Sequence, residues 1–540
     1  MDIGDNANLV LATLAIYFAA IIALGVFYSR KANSSEDFIL ASHSLSTPFV
    51  TGSVVATWLG GAVILGGAKE AYIGGFQAIV WDPWSPMLTL LFSGFFLVRV
   101  FRRSRFMTAI DFFNSRYDRQ IGMTGMTVNM LAYVSWIAAQ LLSLGVLINT
   151  VTDLGLVDAT LLGAGIILTI SLTGGLWALS RSDMLAFIIL TVVLLAVLPY
   201  ALGAVGGTTA FIEKAGSLDG TPPFSLFYTS EPNSAGEPAG FAGYLGILGL
   251  FYMLAAWFSV AVGDLGGSVL TARALAARDE TTATRGFVFG GLIYLLLGMV
   301  PVIVGMCVFI LRADFPEAQL DFIFPWFVHH YVPDWIAVMF FVAAASAIIS
   351  TAGDTVLTSG ALLGYTVLKA LRPETTDRQH LLATRIAMLC FTATGLAFGL
   401  GMGNLYNLLV FAGAVSFPVI AATFVCGILW KKANVTGAWA SILTGAVSWV
   451  TLVFVFLPLV DGETWDAIYI ASVPAFACSL VALIVVSLLT QKSCPPRPIR
   501  DVDGNDISDT PLFGLRRAQA PPAGSPWTAP APSSSPRDPG

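Results

Sequence analysis

Residues 263–268 read GDLGGS, inside a run, GYLGILGLFYMLAAWFSVAVGDLGGSVL, that is otherwise apolar or uncharged. A carboxylate at the centre of a membrane-spanning helix costs about 2.5–3.5 kcal/mol on insertion scales, so Asp264 is a functional candidate by default. Three roles are open to it: pairing with a cationic solute, carrying a proton, or bonding amides freed where the glycines interrupt the helix. A second constellation lies in FFVAAASAIISTAGDTVLTSGALLGY, residues 340–365. The adjacent hydroxyls of Ser350 and Thr351, one turn beyond Ala347, can present two side-chain oxygens and a carbonyl to one point, which suits a small hard cation such as sodium. An unwound stretch at Ala56 to Leu59 would add carbonyls. The bland alternative is that these hydroxyls bond their own backbone or a neighbouring helix.

Such residues need a frame, and composition says which. The 540-residue chain is 56% hydrophobic and 11% charged, with mean hydropathy +0.79. This is the signature of an all-α polytopic membrane protein whose partners include the lipid bilayer. Thirteen apolar windows of spanning length can be placed, from 8–29 to 466–490. The acidic start MDIGDNANLV lacks the basic opening of a cleavable signal, so the first window is expected to remain as a helix. Placing the N-terminus outside and the C-terminus in the cytoplasm puts all but Lys69, Lys214 and Arg312 of the 27 basic residues on the inner side, as the positive-inside rule requires. A multi-pass protein of the plasma or inner membrane is the expectation. The five cysteines are scattered without metal-type spacing, and no basic, aromatic-interleaved patch suggests nucleic acid. No HExxH motif, intramembrane His cluster or Ser/His pairing supports a membrane enzyme. The sequence does not specify an oligomeric state.

The organisation echoes itself. ATWLGGAVILGG at 56–67 and VGDLGGS at 262–268 are glycine-rich interruptions in corresponding spans of two halves. That is the sequence pointer to inverted repeats with broken helices at the bilayer midplane, the architecture of secondary transporters. The repeats are expected at roughly 47–206 and 243–430, within a transmembrane domain 1–492. Residues 493–540, rich in Pro, Ala and Ser, are expected to form a disordered cytoplasmic tail.

Four blocks together carry a resemblance: SHSLSTPFVTGSVVATWLGG, SLTGGLWALSRSD, GDLGGSVLTARALAARD and AAASAIISTAGD. With these the chain resembles the sodium:solute symporter family to about residue 490, and within it is most similar to the choline-transporter branch. The resemblance implies a five-plus-five inverted-repeat (LeuT-like) core and sodium-coupled import of a small organic solute by alternating access, choline or a related cation being the leading expectation. A different solute (amino acid, sugar or carboxylate) or proton coupling is the alternative. It further implies a sodium site made by the carbonyls of Ala56, Leu59 and Ala347 with the hydroxyls of Ser350 and Thr351. Asp183 falls on an acidic position linked in some members to a second ion or the inner exit path; a helix cap at a loop end is the competing role. Trp58 and Trp136 fall on two positions of an aromatic cage, where cation–π attraction of roughly 0.5–2 kcal/mol per ring suits a quaternary ammonium. The other two cage positions are Pro86 and Gly267 here, so Asp264 would take over their work beside Gly267. Tyr252, with Trp84 and Trp257, is a candidate to complete the cage.

Overall fold

A bilayer offers the backbone no water, so a chain this apolar crosses it as helices whose amides bond internally. The computed structural model describes residues 7–29, 44–216, 225–228, 240–368, 372, 374–402 and 405–511. Among them, twelve helices are long and apolar enough to span a membrane, and one bent pair brings the crossings to thirteen. The chain is a multi-pass membrane protein.

Helix α1 (Ala7–Ser29) precedes the first set of five crossings. These are α2 (Thr47–Trp58) with α3 (Ala62–Ala78), α4 (Val80–Ser104), α6 (Arg119–Val151), α7 (Leu156–Thr173) and α8 (Leu179–Ala204). A short helix, α5 (Ala109–Arg116), links α4 to α6. The second set is α9 (Gly246–Gly263) with α10 (Ser268–Ala276), α11 (Glu280–Leu311), α12 (Asp334–Gly364), α13 (Arg378–Met402) and α14 (Phe411–Leu429). Helices α15 (Val435–Val460) and α16 (Thr464–Leu489) follow and pack on each other. One minimal antiparallel ladder, Gly240–Phe241 against Tyr244–Leu245, precedes α9. The five-plus-five arrangement is the one expected, with its glycine-rich interruptions opening both sets.

Burial separates core from lipid-facing helices. The apolar window of α12 is 94% buried and that of α15 only 17%, which makes α12 the central helix and α15 a lipid-facing one. Close approach of α11 to α3 depends on Gly305, where an added Cβ would stand 2.1 Å from the Ala68 carbonyl oxygen. The chain reverses between α7 and α8 at Gly175, whose φ of 55° favours glycine. Asp183 therefore sits inside α8, not at a loop end, and the capping role falls away.

The expected tail disorder does not begin at 493. Residues 497–511 are folded against the membrane domain, with Ile499 and Ile507 buried and a bridge from Arg500 to Asp506. The expectation failed because Pro-rich composition dominated the segment, while PIRDVDGNDISD carries its own apolar pair and turn residues. Residues 512–540 lie outside the described residues.

Gly305→Ala is expected to lower stability by about 1–3 kcal/mol, the usual cost of overpacking, read as a fall in melting temperature of the purified protein in detergent. An unchanged melting temperature would show that α3 and α11 are not packed this closely.

Candidate functional site

Breaking a helix in a membrane frees amides and carbonyls that must find partners. The first break lies between α2 and α3, which meet at 57°. Leu59 leaves helical geometry (φ −80°, ψ 62°), and the freed Gly61 N–H donates to Gln140 Oε1 at 3.0 Å. The second break runs from Asp264 to Gly267. There the Ser268 N–H donates to Asn129 Oδ1 at 3.3 Å and the Val269 N–H to the Tyr133 hydroxyl at 2.9 Å. All three acceptors belong to α6. Asn129, Tyr133, Trp136, Gln140 and Ser143 recur at alternating steps of four and three, so they form one stripe along that helix.

Trp136 stands between the acceptors for the two breaks, and it meets Trp58 with ring centroids 6.2 Å apart. Trp58 is buried and touches a third ring, Tyr294, at 6.4 Å, edge to face. The Tyr294 hydroxyl donates to Asp82 at 2.6 Å. The two tryptophans suggested by the sequence thus come together, and Tyr294, unnoticed among the apolar residues of its span, joins them.

Asp264 does not cap the second break, since those amides bond to Asn129 and Tyr133. Among the described residues no hydrogen bond or ion pair engages its half-buried carboxylate. Its Oδ1 lies where a side chain at 267 would begin: a Cβ on Gly267 would be 2.2 Å away. The carboxylate therefore fills the space that the glycine leaves.

Tyr252 is a correction. Its hydroxyl donates to Asp466 at 3.0 Å, and its ring packs against Trp81 at 5.0 Å and Tyr244 at 5.0 Å. It stands more than three turns before Asp264 on α9, about 18 Å along the axis at 1.5 Å per residue, and so is remote from that carboxylate. Trp84 and Trp257 likewise face each other at 6.3 Å, and Trp257 stacks on Phe227.

Three of the expected cation ligands meet, and a fourth bonds a carboxylate. The Thr351 hydroxyl lies 3.0 Å from the Ala347 carbonyl oxygen and 3.2 Å from that of Ala56. The Ser350 hydroxyl donates to Asp183 at 2.6 Å, as does Ser53 at 2.5 Å. A hydroxyl that gives its proton to a carboxylate keeps its lone pairs for another partner. Leu59 is buried just past the end of α2.

A charge cluster missed by the sequence reading adjoins these oxygens. Arg273 on α10 is buried between Asp183, at 3.5 Å, and Asp354 on α12, with which it forms a close ion pair. Thr57 donates to Asp354 and accepts from the Arg273 guanidinium at 3.3 Å. The residues just before α2 and just after α10 are also tied by backbone bonds, Leu45 N–H to Ala276 O at 3.0 Å and Arg278 N–H to Leu45 O at 2.9 Å. The signal was available: Asp354 and Arg273 are charged residues in apolar spans, as Asp264 is.

Known proteins resemble the whole chain. The chain is 21% identical over 500 residues to the high-affinity choline transporter 1 of Caenorhabditis elegans, covering 86% of this chain and 79% of that protein. It is 24% identical over 499 residues to the sodium/glucose cotransporter of Vibrio parahaemolyticus, covering 86% and 88%. Among solved structures, a Na+-coupled sialic acid symporter in a substrate-bound outward-open state superposes with a TM-score of 0.74 at 15% identity, over 90% of this chain and 98% of that one. That likeness establishes the shared fold. The family model of the sodium:solute symporters matches residues 38–445, and with this match over most of its length the chain belongs to the sodium:solute symporter family.

Proposed function

We propose that the protein is a sodium-coupled symporter that imports a small organic cation of the choline type by alternating access, with the face carrying Arg99 to Arg119 on the cytoplasmic side. The observation that carries sodium coupling is electrostatic. Asp183, Asp354 and Arg273 are all buried, and ionised they sum to one negative charge beside Ser350. Removing such charges from water is costly unless they are balanced, and a sodium ion among the oxygens of Ala56, Leu59, Ala347, Ser350 and Thr351 supplies the balance. Sodium and solute then favour the same conformations, which is what couples their movement.

The solute reading rests on Trp58, Trp136 and Asp264. Two rings give a methylated ammonium the π faces it binds without N–H donors, and a carboxylate without a described partner supplies the countercharge. An anionic solute would meet Asp264 unfavourably. The likeness to a sodium/glucose cotransporter supports a second reading, a neutral solute held by hydrogen bonds.

Purified protein in proteoliposomes under an inward sodium gradient is expected to accumulate labelled choline, and to stop when potassium replaces sodium. Accumulation of glucose but not choline would favour the second reading. Ser350→Ala combined with Thr351→Ala is expected to abolish sodium stimulation of that uptake; retained stimulation would move the ion site elsewhere. Asp264→Asn is expected to weaken binding of choline by tenfold or more, the loss of about 1.4 kcal/mol, while a zwitterionic betaine loses much less. Equal losses for both would mean that the carboxylate does not contact the ammonium group.

A further inference from the structure

On the face that carries Arg99 to Arg119, a small, tight cleft lies between α10 and α12. Ser268, Ala272 and Leu275 line it from α10, Leu357 and Thr358 from α12, and Met107 and Thr108 from the loop between α4 and α5. That loop supplies one wall of the cleft, so its withdrawal would widen it.

The folded segment 497–511 is stitched to the start of the loop and to the far end of α5, which follows it. Before it, the Val502 N–H donates to Ser104 O at 3.2 Å, and Asp503 forms a close ion pair with Arg105. After it, Ser115 Oγ donates to Arg500 O and accepts from Arg500 N–H, both at 2.9 Å. Arg497 donates to Tyr117 O. Arg116 donates to the carbonyls of Gly427 at 2.8 Å and Arg497, tying the same strip to the end of α14. Asp509 pairs with Lys431 beyond that end. The end of α4 is in turn held to the inner part of the broken-helix unit by Arg102 to Arg278 O at 3.1 Å and Arg103 to Glu280 at 2.7 Å.

We propose that residues 497–511 are a strap that latches the α4–α5 loop across the inner cleft, so that release of the strap is a step in opening the cytoplasmic side. This rests on the transporter reading, in which the cleft is the inner exit. Its strength is a sum of small surface terms: two ion pairs and several backbone hydrogen bonds, each modest alone. A latch of that kind holds a closed state without freezing it, and it yields to a charge change on the strip.

Hydrogen exchange by mass spectrometry on the full-length protein in nanodiscs tests the latch without relying on transport. Asp503→Lys with Val502→Pro removes the ion pair and the donor to Ser104. Amide exchange in 105–108 and 268–276 is then expected to rise about tenfold. The charge swap Arg105→Asp with Asp503→Arg, which leaves Val502 in place, is expected to keep exchange there within about twofold of the unsubstituted protein. Faster exchange confined to 497–511, with the cleft walls unchanged, would overturn the proposal, as would an equal rise throughout distant α15. Failure of sodium-driven uptake with this exchange pattern intact would count against the transport reading and leave the latch standing.

Discussion

Two interrupted helices inside a medium without water are the constraint from which the rest of the site follows. Each break frees backbone groups that would cost several kcal/mol apiece if left bare in hydrocarbon. One helix, α6, answers both from a single stripe: Asn129 and Tyr133 hold the start of α10, and Gln140 holds the start of α3. The acceptors for the two breaks are 7 to 11 positions apart, about 10 to 16 Å along the helix. The spacing of the breaks is thereby fixed by one helix, and Trp136 stands between their acceptors.

The second organising feature is the guanidinium of Arg273 between Asp183 and Asp354. Breaking such a buried pair by removing one partner leaves an uncompensated charge, which is far more costly than never having built it. The cluster joins α2, α8, α10 and α12, that is, both broken helices and the two crossings behind them. Ser350 belongs to it and to the proposed cation ligands at once. Those ligands and α10, which starts four residues after Asp264, are therefore linked by contiguous polar contacts rather than by distance alone.

Much of this was written in the sequence in a form that local chemistry can decode. Glycine doublets beside Trp58 and Asp264 marked the breaks, and Ala347 with Thr351 marked one turn that meets the Ala56 carbonyl. Asn129, Tyr133 and Gln140 were illegible because single polar residues in a membrane helix usually bond to their own backbone; only the tertiary pairing shows which of them serve a foreign amide. Tyr252 misled for the opposite reason, since an aromatic at the outer end of a helix looks the same whether it faces a cage or, as here, a cluster around Asp466. Asp354 was overlooked beside the better-known hydroxyls, although a charge in an apolar span should have drawn the same question as Asp264.

Gly267 and Asp264 are also tied to each other. A Cβ at 267 would stand 2.2 Å from Asp264 Oδ1, so a side chain there requires the carboxylate to turn aside. A lineage or an engineer that brings bulk to position 267 therefore also moves the acid at 264, and neither residue can be read or redesigned without the other.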